Sequence, residues 1–213
     1  MANFTVCLGH FCEVHGPCSI ISTQISKTKN ILKTKASNLQ TCQSCQLSLP
    51  NDVNNIVTKS KNEFFISSQY PSNQDLYRSL TKLIMKILSV ETSDISKPLF
   101  LGDNANGFTL TRIFKIKDLN ARGGERKYCL MIVSDEEHKI MKNWRVSSNY
   151  LNEIIDFLQS KVNKNDNSSK GNNNDNYLRR SLVKPKSLIE LCGDKQIFIK
   201  LHLSAIELIK DIK

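Results

Sequence analysis

Residues 107–133 read GFTLTRIFKI (107–116), KDLNARGGERK (117–127) and YCLMIV (128–133). In the first block Phe108, Leu110, Arg112, Phe114 and Ile116 fall on one side, and Thr109, Thr111, Ile113 and Lys115 on the other. That two-residue period is the signature of a β-strand. The last block is almost wholly apolar, which suits a central strand covered on both faces. Between them lies a tight loop, and Gly123-Gly124 lets it turn sharply. Two adjacent strands joined by a short loop pair antiparallel. Arg122 stands just before the glycines, so its side chain is expected to project from the loop tip. There a guanidinium could neutralise phosphate charge. Arg126 lies nearer the second strand and is expected to pin the loop through a carboxylate such as Asp118. Taken alone, a solvated basic hairpin tip is the plainer reading of Arg122, because most loop arginines do no chemistry.

Other elements extend outward from this hairpin. Phe4–Cys12 is an apolar run of β-formers, His15-Gly16-Pro17 makes a turn, and Cys18–Ser22 can return as a second strand. Asn62–Ser68 (NEFFISS) and Pro98–Asp103 (PLFLGD) read as short strands. Pro71 breaks the first of these, and Ser72 or Asn73 is placed to cap a helix. Leu76, Leu80, Leu83, Ile84, Ile87 and Leu88 form one face of that helix. Leu151, Ile154, Ile155, Leu158 and Val162 mark another, with Ser147 or Ser148 as cap candidates. Asp194–Ile212 is apolar around much of its circumference, so a helix there is buried on more than one side. It is either a central core helix or one that also meets a partner. The sum is an α/β fold of the α+β kind: a small antiparallel or mixed sheet with helices on its faces.

Two stretches stand outside this pattern. Residues 23–61 carry six lysines and one acid among many Ser, Thr, Asn and Gln, with no sustained period, and read as a polar basic loop insertion. Residues 163–176 contain seven asparagines and read as a low-complexity linker before the last helix. Setting them aside leaves one compact set of elements, so residues 1–213 are read as a single domain with two insertions.

Composition narrows the function classes. Lys plus Arg is 30 and Asp plus Glu is 20, giving a net charge of +10 in 213 residues. That charge raises nucleic acid as a partner. However, there is no RNA-recognition aromatic motif, no zinc-finger spacing and no helix with a clustered basic face. No run approaches the ~20 apolar residues of a membrane span, and no secretory signal is visible at the N-terminus. The lysine-rich loop could attract an anionic membrane surface, but it lacks the apolar partners of an amphipathic anchor. The sequence has no G-x-S-x-G, H-E-x-x-H or G-x-x-x-x-G-K-[ST], and so lacks the signatures of a hydrolase, a zinc protease or a P-loop nucleotidase.

Seven cysteines and no signal peptide point to free thiols in a reducing compartment. Cys42-Gln-Ser-Cys45 has no second pair at zinc spacing. Cys12, Cys18 and His10 could complete a four-ligand site only through long-range folding. Two incidental loop thiols are the default reading, and no metal or cofactor is assigned. His10 and His15 are five apart, which puts them on opposite faces of a strand, so they can converge only across the turn. Catalysis there is not expected.

The stretch His10-Phe-Cys-Glu-Val-His-Gly-Pro17 resembles the N-terminal strand and turn of the folliculin family. Further matches follow in order. They are Cys42-x-x-Cys45, Gln69-Tyr-Pro71, Phe100-Leu-Gly-Asp103 with Gly107-Phe108, and Phe114-Lys-Ile-Lys-Asp118. Ala121-Arg-Gly123, Arg126-x-Tyr128, Asn143-Trp144 and Arg180-Ser-Leu182 complete the series.

The resemblance implies a longin domain: a five-stranded, mainly antiparallel sheet with helices on both faces, to which Asn62–Ser68 adds a strand. Family members usually continue into a DENN module, which 213 residues do not hold, so the chain is expected to resemble the short fungal, Lst-type folliculins. The resemblance also implies a heterodimer with a folliculin-interacting (Lst-type) longin/DENN protein. That complex would activate a Rag/Gtr-family small GTPase in amino-acid signalling to the TOR kinase. The protein itself would be no enzyme. It would be cytoplasmic, recruited to the vacuole or lysosome surface through peripheral association. The family's arginine finger carries over onto Arg122 in Asn120-Ala-Arg-Gly123, with Asn120 as a minor departure, and Arg126 takes a supporting role. The rival expectation is a non-catalytic longin adaptor that scaffolds the partner and the GTPase at the vacuole membrane. An isolated longin sheet can also pair edge to edge as a homodimer.

Overall fold

The computed structural model describes residues 4–27, 42–50, 53–60, 63–71, 73–91, 94–168 and 185–213. Seven strands form one sheet: β1 (Thr5–Cys12), β2 (Gly16–Ser26), β3 (Asn55–Ser60), β4 (Glu63–Ser68), β5 (Leu99–Asp103), β6 (Gly107–Lys117) and β7 (Glu125–Ser134). Their spatial order is β3-β4-β2-β1-β7-β6-β5, and every neighbouring pair is antiparallel. The sheet therefore has seven strands where five plus one were expected. The additional strand is β3, which lies inside the stretch read as a polar loop. Its residues are half-buried at the sheet edge, so no apolar period betrays it. β2 likewise runs to Ser26, four residues beyond the expected end. Residues 28–41 of that stretch lie outside the described residues.

The sheet is covered on both faces, as anticipated. On one face packs α1 (Gln74–Leu88), whose Leu80, Leu83, Ile84 and Ile87 are wholly buried against Cys7, Ile113, Cys129 and Met131. Asn73 caps α1 by accepting N–H bonds from Asp75 and Leu76 at 2.8 and 3.4 Å. The other cap candidate, Ser72, lies outside the described residues.

On the opposite face lie α2 (Glu137–Lys142), α3 (Trp144–Ser168), α4 (Leu188–Cys192) and α5 (Ile197–Ile212). They share a core with Val6, Leu8, Leu110, Phe114 and Leu130. The strand side chains alternate between the two cores, which is why the β7 run is apolar throughout.

Three boundaries differ from the sequence reading. Ser147 and Ser148 sit inside α3 rather than capping it, because the helix starts at Trp144. The preceding turn is held by Asn143, which donates to the carbonyls of Lys139 and Ile212. α3 also continues through the first six residues of the Asn-rich stretch. There Asn165 donates to the carbonyls of Glu190 and Leu191 at the end of α4, at 2.9 and 3.1 Å. The rest of that stretch, and the matched Arg180-Ser-Leu182, fall outside the described residues. α4 was not anticipated. It is five residues long and rests on a capping box between Ser187 and Glu190.

α5 behaves as a core helix. Nine of its residues are buried, and this exceeds one face of a 16-residue helix. Among its apolar residues Leu203 stands apart, half-exposed at 49%.

Candidate functional site

The β6–β7 hairpin ends in a loop whose shape follows from three backbone hydrogen bonds and two glycines. Ala121 N–H donates to Asp118 C=O at 2.9 Å, and Gly124 N–H to Ala121 C=O at 3.0 Å. Asp118 N–H donates to Gly124 C=O at 3.0 Å and closes the loop. Residues 122–124 form a single 3-10 turn. Gly123 and Gly124 take φ of 78° and 75°, the left-handed region that side chains disfavour. Asp118 also accepts the Asn120 N–H on Oδ1 at 3.0 Å.

Beneath the loop, Arg126 forms an ion pair with Asp118, both side chains almost wholly buried. Arg126 Nη1 donates onward to the Lys186 carbonyl at 3.0 Å, tying the hairpin to the lead-in of α4. The pairing expected from the sequence is thus present.

Above the loop, Arg122 is exposed while its backbone is held. Its N–H donates to Glu13 Oε1, in the β1–β2 turn, at 2.5 Å. Arg122 lies on the wall of an open groove of about 900 Å³ that also includes Phe11, Val14, Leu88, Lys127 and Pro185. Phe11 and Val14 are 50% and 69% exposed. Leu119, on the same loop, is 69% exposed. A guanidinium flanked by exposed apolar side chains can insert into another protein's polar site while those side chains lose water at the rim. The anchoring role of Glu13 was missed in the sequence, where only its place inside the His10–Pro17 motif hinted at it.

At one side of the groove, whose lining includes Cys12 and Ser44, the fold gathers side chains that the sequence left scattered. Cys42 and Cys45 fold onto the β1–β2 turn. Cys12 Sγ lies 3.5 Å from Cys42 Sγ and 3.7 Å from His15 Nδ1. Cys45 Sγ lies 3.5 Å from Cys42 Sγ and 3.4 Å from His15 Nδ1. The CxxC is therefore not a pair of loop thiols standing apart, and these four residues could hold a metal ion. His10 reaches the cluster from the other side, with Nε2 3.4 Å from Cys45 Sγ, so the two histidines converge across the turn on one sulfur. The His10 ring is buried in a stack with Tyr128, which stacks in turn on Phe114. Burial pushes the His10 pKa down to about 4.

The folliculin family model, described as a vesicle coat protein involved in Golgi to plasma membrane transport, matches residues 63–212. The chain belongs to the folliculin family. It is similar to Protein LST7 of Saccharomyces cerevisiae, with 28% identity over 95% of this chain and 93% of that protein. It is also similar to Folliculin-like protein bhd1 of Schizosaccharomyces pombe, with 34% identity over 49% of this chain and 31% of that one. Folliculin of Homo sapiens is 30% identical over 46% of this chain and 17% of its own length. This folliculin-family chain thus spans nearly all of the yeast relative but a third or less of the other two. Both the 117–126 loop and the groove residues Leu88, Lys127 and Pro185 lie within the span matched by the family model. The β1–β2 turn that holds Glu13 and the cysteine cluster lies before it.

Proposed function

We propose that this folliculin-family protein is a subunit of a heterodimeric GTPase-activating complex, and that Arg122 is its arginine finger. The single observation that carries the reading is the way Arg122 is presented. Its side chain is exposed, while its backbone is braced by Glu13 from above and by the Arg126–Asp118 pair from below. A finger must arrive with its geometry already set, because the gain comes from preorganised charge at the transferring phosphoryl group. The GTPase supplies the nucleotide, Mg²⁺ and P-loop, and the guanidinium neutralises developing charge in trans.

The proposed substrate protein is a Rag/Gtr-family GTPase in amino-acid signalling to the TOR kinase. The second subunit is a folliculin-interacting (Lst-type) longin/DENN protein. The setting is the cytoplasmic surface of the vacuole or lysosome. No helix among the described residues is long and apolar enough to cross a membrane, which fits peripheral association.

The test is GTP hydrolysis by the Rag/Gtr-type GTPase with the chain and its partner present, comparing wild type with Arg122→Ala. Loss of about 10³-fold or more of the stimulation is expected, with complex assembly unchanged. Equal rates would remove Arg122 from the chemistry and leave the adaptor reading. The sheet edges at β3 and β5 favour that second reading, since strand addition there could scaffold a partner. Under it, disrupting an edge would abolish assembly, while Arg122→Ala would change nothing.

A further inference from the structure

We propose that Cys12, His15, Cys42 and Cys45 form a structural Zn²⁺ site that clips the 42–50 segment onto the β1–β2 turn. The donor atoms of these four residues all lie within 4.8 Å of one another. Four of the six donor–donor separations are 3.5, 3.7, 3.5 and 3.4 Å. Donors placed tetrahedrally around zinc, at Zn–S of ~2.3 Å and Zn–N of ~2.0 Å, stand about 3.5–3.8 Å apart. Four of the six edges therefore already have the lengths of a coordination tetrahedron, and the other two are no longer than 4.8 Å. No disulfide joins these sulfurs, and all seven cysteines are free thiols.

The local backbone fits the same reading. The ligands come as two short knuckles, Cys12-x-x-His15 and Cys42-x-x-Cys45, the spacing that lets one turn present two donors to one ion. In the first, Val14 N–H points at Cys12 Sγ at 3.4 Å. In the second, the N–H groups of Cys45 and Gln46 both return to the Cys42 carbonyl, at 3.0 and 3.2 Å. A surrounding layer is present too. Ser44 Oγ lies 3.0 Å from Cys42 Sγ, and His10 Nε2 can donate to Cys45 Sγ. Donors of this kind offset thiolate charge and orient metal ligands. Three thiolates and a neutral imidazole carry −3 against the +2 of the ion, and the three thiol protons leave to solvent on binding. Sulfur-rich tetrahedral donors select zinc over Mg²⁺ or Ca²⁺, which prefer oxygen.

The site has a structural consequence for the groove. Glu13 lies between the ligands Cys12 and His15, and its carboxylate holds the Arg122 N–H. A metal that fixes the turn also fixes Glu13. Gln69 adds a second brace, donating to the Cys45 carbonyl at 3.0 Å and accepting Leu47 N–H at 3.2 Å.

The experiment is elemental analysis of the purified 213-residue chain, prepared under reducing conditions without added metal, followed by cobalt substitution. Expected are about one zinc per chain and, with Co²⁺, the visible absorption of a tetrahedral ion together with a thiolate charge-transfer band. The Cys42→Ser/Cys45→Ser variant should lose both. Cys18→Ala should keep both, although Cys18 Sγ lies only 3.4 Å from Cys45 Sγ. His15→Cys should retain zinc as a four-cysteine site, which separates lost ligation from lost folding. Chelation should increase proteolytic cleavage within 42–50. Absence of zinc and of cobalt binding in the folded chain would overturn the site. So would a Cys42–Cys45 disulfide in place of metal, or metal retained in the double serine variant. Loss of metal in Cys18→Ala would overturn this ligand set. None of these readouts involves GTP hydrolysis, so they stand apart from the role of Arg122.

Discussion

Arg126 and Asp118 form an ion pair whose side chains are 7% and 0% exposed, beneath the loop that carries Arg122. Burying two charges is expensive, and the pair holds together because each charge has further polar partners. Arg126 donates to the Lys186 carbonyl, and Asp118 accepts the Asn120 N–H. Removing one member leaves the other charged, buried and unpaired. Arg126→Ala should therefore cost about 3–5 kcal/mol of folding stability. Arg122→Ala, at an exposed tip, should stay within about 0.5 kcal/mol. Urea denaturation of the two variants checks the contrast.

The second prediction concerns the loop's backbone. A Cβ at Gly123 would meet nothing within 4 Å, so sterics between side chains do not decide this position. Its φ of 78° does. Alanine in that conformation costs about 1–2 kcal/mol, which the loop can avoid by changing shape. Gly123→Ala should thus leave the midpoint of thermal unfolding nearly unchanged or slightly lower and, with Arg122 as the proposed finger, should reduce GTPase stimulation well below wild type by displacing it. Full stimulation by Gly123→Ala would mean that the loop's shape is not what matters.

The third follows from His202 in α5. Its ring is buried against the β3–β4 hairpin, with Nδ1 2.6 Å from Ser67 Oγ and Nε2 2.9 Å from Thr58 Oγ1. Ser67 Oγ in turn lies 2.5 Å from Thr23 Oγ1, so a polar chain crosses three strands. Burial pushes the His202 pKa down from 6.5 to about 4. The unfolded chain therefore takes up this proton first as pH falls. The stability is fully present above about pH 6.5 and is lost as pH falls towards 4, by on the order of 2–3 kcal/mol at the acid end. His202→Gln should flatten that part of the stability–pH curve, measured by denaturation between pH 7 and 4.

The fourth tests how α1 meets the sheet. Gly9 sits in β1 where the β1–β2 register shifts, directly under Ile84. A Cβ at Gly9 would lie 2.9 Å from both Ile84 Cδ1 and Cγ1, and 3.2 Å from Cys129 Sγ. Gly9→Ala should cost about 1–3 kcal/mol through overpacking. Ile84→Val removes Cδ1 and should recover part of that loss in a double-mutant cycle. Simple additivity of the two changes would show that the helix does not press on this strand.

The sheet's centre was legible because burial there imposes period. The β6 and β7 strands and the α1 stripe each bury a regular set of side chains, and the pattern survives in one dimension. The polar edge strand β3 was not legible, because half-buried Ile56, Val57 and Thr58 among Asn, Lys and Ser carry no period. The short α4 helix was hidden too, since five residues are too few to show one. The site divided in the same way. Arg122 and its glycines are neighbours in sequence, so the loop tip could be read, and the family resemblance singled out Arg122 as the proposed finger. Arg126 and Asp118 are eight apart across one hairpin, close enough for their pairing to be anticipated.

By itself, then, the amino-acid sequence determined the strand hairpins, the apolar faces of the long helices, the family and the place of Arg122. Each is carried by short stretches in which the residues lie within about ten positions of one another, where backbone geometry ties spacing to direction. Only the tertiary structure decided that Glu13 holds Arg122 across 109 residues. It alone brought Cys42 to Cys12 across 30, and His202 to Thr58 across 144. Those contacts arise when the chain collapses around two cores. No local period or propensity encodes which distant polar groups the packing will leave facing each other.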